Sequence, residues 1–580
     1  MKQSFATGLK LALALSTGLV MANPVGAAAK AKAPSTNGEI IHDAEFYVLE
    51  AQNGPQWATE DQDIDAKIAA LKAKYGRPPN IIHFMWDDSA VGDVGIPAIQ
   101  ITRGFSTPNI NRVAAEGLNM MRMYTEPACT SSRAAVITGR LAVRSGMHTV
   151  SFPVESSGMD VGEVTMATVL GKAGYNTAFY GKWHLGDTQP SYPVNMGFDE
   201  ALWTPYNQVP SAWTPMGEMI GVVSGMYPQL YPKDPYLMDN SWQPAGTPWI
   251  LDGTKGGAVR EWGTPLSVAD FYRLDQESLA RTLAFAKKAT AENKPFYVAF
   301  WPVSTAFLPN PEERGKLTTN KSLTAETLTR VDKLVGGLVA GLKEQGIDDN
   351  TLVIVMADNG AFTHDGPPGM VETLYRGGKG DYLEGGVRVP AFAYWPGVIK
   401  PGQISGDMIF EADLFTTFAH LANAEKYIPR DRIIDGIDQT SLLFNGDGFS
   451  RRDYHFIYQG TNLSAAVKGR FKRVWAGAKA GLSGPEFYDL YVDPREEHGL
   501  LVPMLNTKSM FNRQLQRHNL WITKYPNRPG PTQGPPLTGI ENARPATKAL
   551  SQPPVDMKKL PFDPREVAKE PVPFTMSDQD

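Results

Sequence analysis

One cysteine, Cys129, occurs in 580 residues. It has no partner for an intrachain disulfide, so stability must come from a buried core rather than from covalent staples. Histidine is scarce too, at nine, which leaves few side chains that titrate near neutral pH. Beyond the first tens of residues no apolar run is long enough to span a bilayer. Basic charge is not in excess: the formal net charge is −5, and losing the two positive charges of Lys2 and Lys10 with a leader would make it −7. That balance excludes a general binder of nucleic acid or of anionic membranes, but not a local cationic pocket for a small anion. Internal repeats are absent.

What is present divides the chain. Met1-Lys2-Gln3 precedes an apolar run from Leu9 to Ala22, interrupted by Lys10, Ser16 and Thr17 and followed by small residues. This reads as a secretory signal peptide over 1–28, with no membrane anchor once it is cleaved. It predicts a periplasmic or secreted bacterial protein. A polar extension over 29–77 contains a predicted helix, Asp61 to Lys74. From 78 to 448, buried strands (Ile81 to Trp86, Asn176 to Tyr180, Pro295 to Trp301, Leu352 to Ala357) alternate with helices near Pro108 to Glu116, Val164 to Lys172, Ser267 to Lys288, Ala325 to Gln345 and Glu411 to Ala422. The alternation predicts an α/β fold, a mostly parallel central sheet sandwiched by helices. Aromatics mixed with Pro, Gly and Met over 203–262 show no period and read as an irregular insertion, either a pocket wall or an oligomer contact. Short strands over 449–524 predict a smaller C-terminal α+β subdomain on an antiparallel sheet. A Pro-rich extended tail follows over 525–580.

Chemistry gathers where strands end. Asp87-Asp88 closes the first strand; adjacent carboxylates there are costly unless a cation neutralises them, although a solvated turn would also account for the pair. Asp358-Asn359-Gly360 closes another strand. Together these make an oxygen-only set suited to Ca2+ or Mg2+ rather than zinc. Lys182 and His184 follow the Asn176 strand, and extended alternation would point both the same way, toward an oxyanion and a proton transfer. Lys379 lies in Gly377-Gly378-Lys379-Gly380, where glycines would let the backbone approach an anion. Pro127 breaks the chain before Cys129. Ser131 or Ser132 is expected to cap a helix over Ala134 to Ile137, which places Cys129 at a helix N-terminus beside the fixed cation of Arg133. A small buried thiol is the other reading of a lone cysteine.

Cys129, Ser132, Arg133, Thr138, Gly139 and Arg140 together resemble the signature of the type I sulfatases of the alkaline phosphatase superfamily. Gly-Lys-Trp-His-Leu-Gly (181–186), Asp358-Asn359-Gly360 and Gly-Gly-Lys-Gly (377–380) are similar to further motifs of that family, in the same order. The resemblance covers roughly residues 78 to 500. It implies an arylsulfatase-like sulfuric ester hydrolase in which a formylglycine-generating enzyme oxidises Cys129 to formylglycine, the hydrate of which attacks sulfur. It also implies one cation, Ca2+ or alternatively Mg2+, on Asp87, Asp88, Asp358 and Asn359. Arg133, Lys182 and Lys379 would neutralise a small-molecule sulfate ester, and His184 would orient or deprotonate the hydrate. A phosphonate monoester or phosphodiester hydrolase of the same superfamily, and a binding relative without turnover, are the alternatives. Two departures stand out. Ser131 occupies a position that is proline in most members, and no histidine lies between Pro302 and Pro309, where the family usually has one for leaving-group protonation or sulfate binding. His364, five residues beyond Asn359, is the expected replacement acid; otherwise activated aryl sulfates should be favoured.

Overall fold

A computed structural model describes residues 38–151, 157–206, 250–262, 268–304, 315–319, 321–362, 374–499 except 477–485, and 502–534. The predicted signal peptide, the interior of the 203–262 insertion, the end of the Pro302–Pro309 loop, His364 and most of the Pro-rich tail lie outside these residues. Everything below belongs to the unit that begins at Ile40.

Ten strands form the main sheet among the described residues. In spatial order they start at Gln403, Leu118, Ala391, Thr351, Asn80, Phe296, Asn176, Glu200, Leu251 and Arg260. The five from Thr351 to Glu200 are mutually parallel, and antiparallel pairs lie toward the two edges. The central strands Asn80–Trp86 and Thr351–Ala357 are buried at every residue. Such strands are covered on both faces, so they read as unbroken apolar runs rather than alternating ones. Helices flank the sheet in two groups: Val268–Ala291, Leu323–Glu344 and Pro108–Glu116 pack together, as do Cys129–Thr138, Met166–Lys172 and Asp413–Leu421. The expected α/β architecture is therefore the observed one.

Three elements differ from expectation. The N-terminal helix runs over Ala44–Tyr75, not 61–74, and carries Pro55 inside it. Proline in a helix interior costs a hydrogen bond and a clash, and tertiary contacts offset it: Glu45 pairs with Lys468 and Arg517, and Arg451 pairs with Asp61 and lies over Trp57. Next, the ends of the 203–262 segment are not irregular. Glu200–Thr204, Leu251–Thr254 and Arg260–Glu261 extend the main sheet, and their shortness hides any period. Third, a helix over Val502–Lys524 follows the C-terminal strands.

The four-stranded antiparallel sheet is as anticipated, with strands Tyr454–Gln459, Asn462–Lys468, Phe471–Val474 and Glu486–Asp489. Its apolar face shares a core with Tyr124, Leu141, Val143, Val387 and Phe410 from the larger domain, so it is a buttress rather than a separate body. The Val502–Lys524 helix closes a buried charge cluster. His518 Nδ1 lies 2.7 Å from Asp43, Arg144 donates to Asp43 at 2.8 Å, and Arg144 Nε reaches Asp435 at 2.7 Å. Arg144 sits just beyond the helix that carries Cys129, so the first and last helices of this unit together hold that helix's exit. No helix among the described residues is long and apolar enough to cross a membrane.

Candidate active site

Parallel register brings two acidic strand ends side by side. Trp86 pairs with Ala357, and the ladder continues past both strands: Asp358 N donates to Trp86 O at 2.9 Å, Asp88 N to Asp358 Oδ1 at 3.1 Å, and Ser89 N to Asn359 O at 3.0 Å. Asp88 turns the chain in the left-handed region, at φ +54°, which Asp adopts more readily than most residues.

The helix that carries Cys129 spans Cys129–Thr138 and is buried throughout. It begins earlier than expected, with Ala128 as N-cap and no side chain capping it. Neither serine plays the predicted cap. Ser131 Oγ donates backwards to Ala128 O at 2.8 Å, and Ser132 Oγ donates to Glu126 O at 2.9 Å. The placement of Cys129 at a helix N-terminus holds nonetheless. Arg133, one turn on, shares its face.

Arg133 touches the ends of four adjacent strands. It donates through Nη2 to Asp87, through Nη2 and Nε to Asp358 Oδ2 at 2.8 and 3.2 Å, and through Nη1 to the Lys182 carbonyl at 2.7 Å. Its guanidinium lies 5.1 Å from the centre of the Trp301 ring. A planar fork with several donors makes this possible, where a lysine would reach one partner at a time. Lys182 Nζ donates to Asp87 Oδ2 at 2.6 Å, and Lys379 Nζ to both oxygens of Asp88, at 2.7 and 3.0 Å. Three buried carboxylates thus face three cations.

Burial opposes the charged form of Asp87, yet Lys182 and Arg133 hold its carboxyl well below the usual range. Burial and then Asp87 push Asp358 well above it, against Arg133. Burial also works against the Lys379 ammonium, and Asp88, with the neighbouring Cys129, raises it above the ordinary lysine range. Cys129 is 1% exposed and within electrostatic reach of Arg133, Lys379 and Asp358.

His184 arrives differently from the sequence reading. The strand ends at Lys182, and His184 takes φ +60°, so simple alternation does not aim the two side chains. Its N–H is fixed on Pro205 O at 2.9 Å. Burial, then Lys182 and Arg133, push the imidazole far below its ordinary pKa, so it is neutral at physiological pH. Beside Lys379, Gly377 and Gly380 each take φ +83°, which glycine adopts without strain, while Gly360 and Gly385 lie under the loop. A Cβ on Gly360 would stand 1.8 Å from Gly385 O, and one on Gly385 would stand 2.4 Å from Gly377 O, so they let backbone meet backbone. That packing straps the loop: Lys379 N donates to Ala361 O at 2.8 Å and Gly380 N to Pro127 O at 2.6 Å.

The four residues expected to hold a cation, Asp87, Asp88, Asp358 and Asn359, do lie together at adjacent strand ends. Asn359 Nδ2 donates to Asp88 Oδ1 at 2.8 Å, and its buried Oδ1 has no hydrogen-bond partner among the described residues. A buried carbonyl oxygen so oriented is costly unless something positive meets it. Among the described residues no three His, Cys, Asp or Glu side chains converge as a ready ligand set. The carboxylates are turned to Arg133, Lys182 and Lys379. All-oxygen chemistry and the orphaned Asn359 oxygen fit a hard divalent ion.

Sequence reasoning missed the Trp301 platform and the hydroxyl of Thr130. It also missed Lys472, a fully buried lysine of the C-terminal sheet that pairs with Glu384 at 3.1 Å and Glu496 at 2.9 Å below the Lys379 loop. Spacing alone does not reveal such long-range pairs.

Comparison with known proteins matches this geometry. The sulfatase family model fits residues 79–424. Steryl-sulfatase of Rattus norvegicus is 32% identical over 445 residues, 68% of this chain and 75% of that protein. Arylsulfatase A of Homo sapiens is 32% identical over 466 residues, 73% and 84% of the respective chains. The crystal structure of PsFucS1 sulfatase from Pseudoalteromonas sp. superposes with a TM-score of 0.71 at 30% identity, covering 81% of this chain and 95% of that one. With its strand-end carboxylates, its arginine-anchored helix and its lysine loop, the chain belongs to the sulfatase family, as a sulfuric ester hydrolase of the alkaline phosphatase superfamily.

Proposed function

We propose that this sulfatase cleaves aryl sulfate monoesters with a formylglycine made from Cys129 by a formylglycine-generating enzyme, and with one Ca2+, or Mg2+, on Asp87, Asp88, Asp358 and Asn359. The observation that supports it best is the seat of Cys129, first residue of a buried, uncapped helix with Arg133 behind it and Lys379 nearby. The bond from Ser131 Oγ to Ala128 O gives the first turn a tether at the position that is proline in most members of the family. When present, formylglycine would supply a hydroxyl nucleophile and the cation would polarise the ester.

The chain's own residues supply the rest. Arg133, with four strand ends fixing it, needs no reorganisation to face developing charge. Lys182, held by Asp87, fixes the cluster's opposite side. Lys379, bound to Asp88 in this structure, would turn its ammonium to a sulfate oxygen, with Asp88 among the residues that would hold the cation. His184, neutral and buried, can accept a proton at its unprotonated nitrogen. The charged start and apolar run before Ala22 support export, with the enzyme acting in a periplasm or outside the cell.

The test pairs p-nitrophenyl sulfate with p-nitrophenyl phosphate and adds mass spectrometry of the Cys129 peptide. Faster sulfate than phosphate release, from protein whose peptide carries the aldehyde, is the expected result. Faster phosphate release, or full activity with an intact thiol, would overturn the reading. For the cation, elemental analysis should find about one divalent ion per wild-type chain and little in Asp358→Ala, whose activity should fall by orders of magnitude. Unchanged metal content in that variant would refute the ligand assignment.

A further inference from the structure

We infer that Thr130 is a positioning residue that fixes the imidazole of His184 relative to Cys129; the inference builds on the sulfatase reading above. His184 Nε2 lies 2.9 Å from Ser151 O. A carbonyl only accepts, so the proton sits on Nε2 and the lone pair on Nδ1. Nδ1 is buried and has no partner among the described residues, so it is the nitrogen left for substrate chemistry. The Ser151 residue that grips the ring is itself held from its other side, its N–H donating to Thr130 Oγ1 at 3.1 Å. Thr130 is fully buried and is the next residue after Cys129 on the same helix. Nucleophile and base are therefore joined by two hydrogen bonds through one residue: Thr130 Oγ1 to Ser151 N–H, and Ser151 C=O to His184 Nε2–H.

The bridge matters because Ser151 is the only hydrogen-bond partner of the His184 ring among the described residues. The His184 backbone stands at positive φ, a conformation that persists only when neighbours over-determine it. The Tyr206 ring, 5.8 Å away and edge-on, limits the imidazole sideways but does not choose its tautomer. Ser151 makes that choice, and Thr130 holds Ser151. Without the hydroxyl, the Ser151 N–H is left buried and unpaired, which favours displacement of the segment.

The experiment is a double-mutant cycle in full-length protein, with rates expressed per formylglycine-bearing chain from peptide mass spectrometry. Thr130→Val should lower kcat on p-nitrophenyl sulfate by roughly 10–100-fold, as sub-ångström to 1 Å misplacement does, with KM nearly unchanged. Thr130→Ser should restore most of the rate. In a His184→Ala background, Thr130→Val should cost about twofold or less, because the residue it positions is gone. Full kcat in Thr130→Val, or an equal loss in both backgrounds, overturns the inference. A second readout needs no turnover: imidazole 15N spectra should show His184 as the Nε2–H tautomer in wild type and as a mixture in Thr130→Val. An unchanged tautomer there overturns the proposal even if p-nitrophenyl sulfate proves not to be a substrate, so failure of the functional reading stays distinguishable. Thr130→Ala, less demanding in shape, repeats both measurements if the valine variant does not fold.

Discussion

Cys129→Ala is expected to lower sulfate release by at least about 10⁴-fold, the scale on which an enzyme loses rate with its nucleophile. The fold should survive it. The cysteine side chain is small and 1% exposed, it makes no disulfide, and alanine is a good residue for the first turn of a helix. Burial of one sulfur fewer costs about 1 kcal/mol, typical of a mild core substitution. The measurement is sulfate release at saturating substrate beside a urea unfolding curve. The reading predicts loss of the first with near-retention of the second. Activity within tenfold of wild type would remove Cys129 from the chemistry.

Arg133→Met should show the largest loss of stability of any site-residue change, about 3–5 kcal/mol, the usual result of deleting one partner from a buried ion pair. Asp87 and Asp358 each lose a direct partner, the Lys182 carbonyl loses a donor, and Trp301 loses the cation from its face. Asp87 then keeps Lys182 and Asp358 keeps the Asp88 N–H, but neither keeps its guanidinium. The midpoint of urea denaturation reports the effect, with the slope checked for constancy. Arg133→Lys keeps the charge but cannot span four strand ends, so it should recover part of the stability and little of the activity. A methionine variant that unfolds within 1 kcal/mol of wild type would show that the carboxylates are satisfied from elsewhere, and the account of Arg133 as the keystone of the sheet edge would fail.

Some of this was legible in the residues alone. Asp87, Asp88, Asp358 and Asn359 could be placed together because each pair follows a strand so apolar that it had to be central, and parallel central strands bring like ends to one edge. Arg133 could be recognised as a fixed cation near Cys129 through helical spacing. Its four partners could not, because they come from strands that only the sheet order makes neighbours. His184 was identified and its approach was not: a positive φ is not encoded by residue type when the residue is histidine. Ser131 and Ser132 were misassigned as caps because hydroxyls can donate to a preceding carbonyl as readily as they accept from a following N–H. The helix over Ala44–Tyr75 was read only from Asp61 onward; its first half holds Gly54 and Pro55, and the contacts that offset proline come from residues more than three hundred positions away.

The clamp of Asp43, Arg144, Asp435 and His518 sets a clock. His518 follows Cys129 by 389 positions, which a ribosome working at about 5–20 residues per second covers in roughly 20–80 s. Until His518 is made, Asp43, which holds Arg144, lacks its imidazole partner, and the helix bearing Cys129 has an unfinished exit. Under the maturation proposed above, that interval, lengthened by any export step that keeps the chain unfolded, is the working time of the formylglycine-generating enzyme. Once the last helix docks, the residue it must reach is 1% exposed. Slowing synthesis ahead of residue 518 should raise the converted fraction, and hastening closure should lower it.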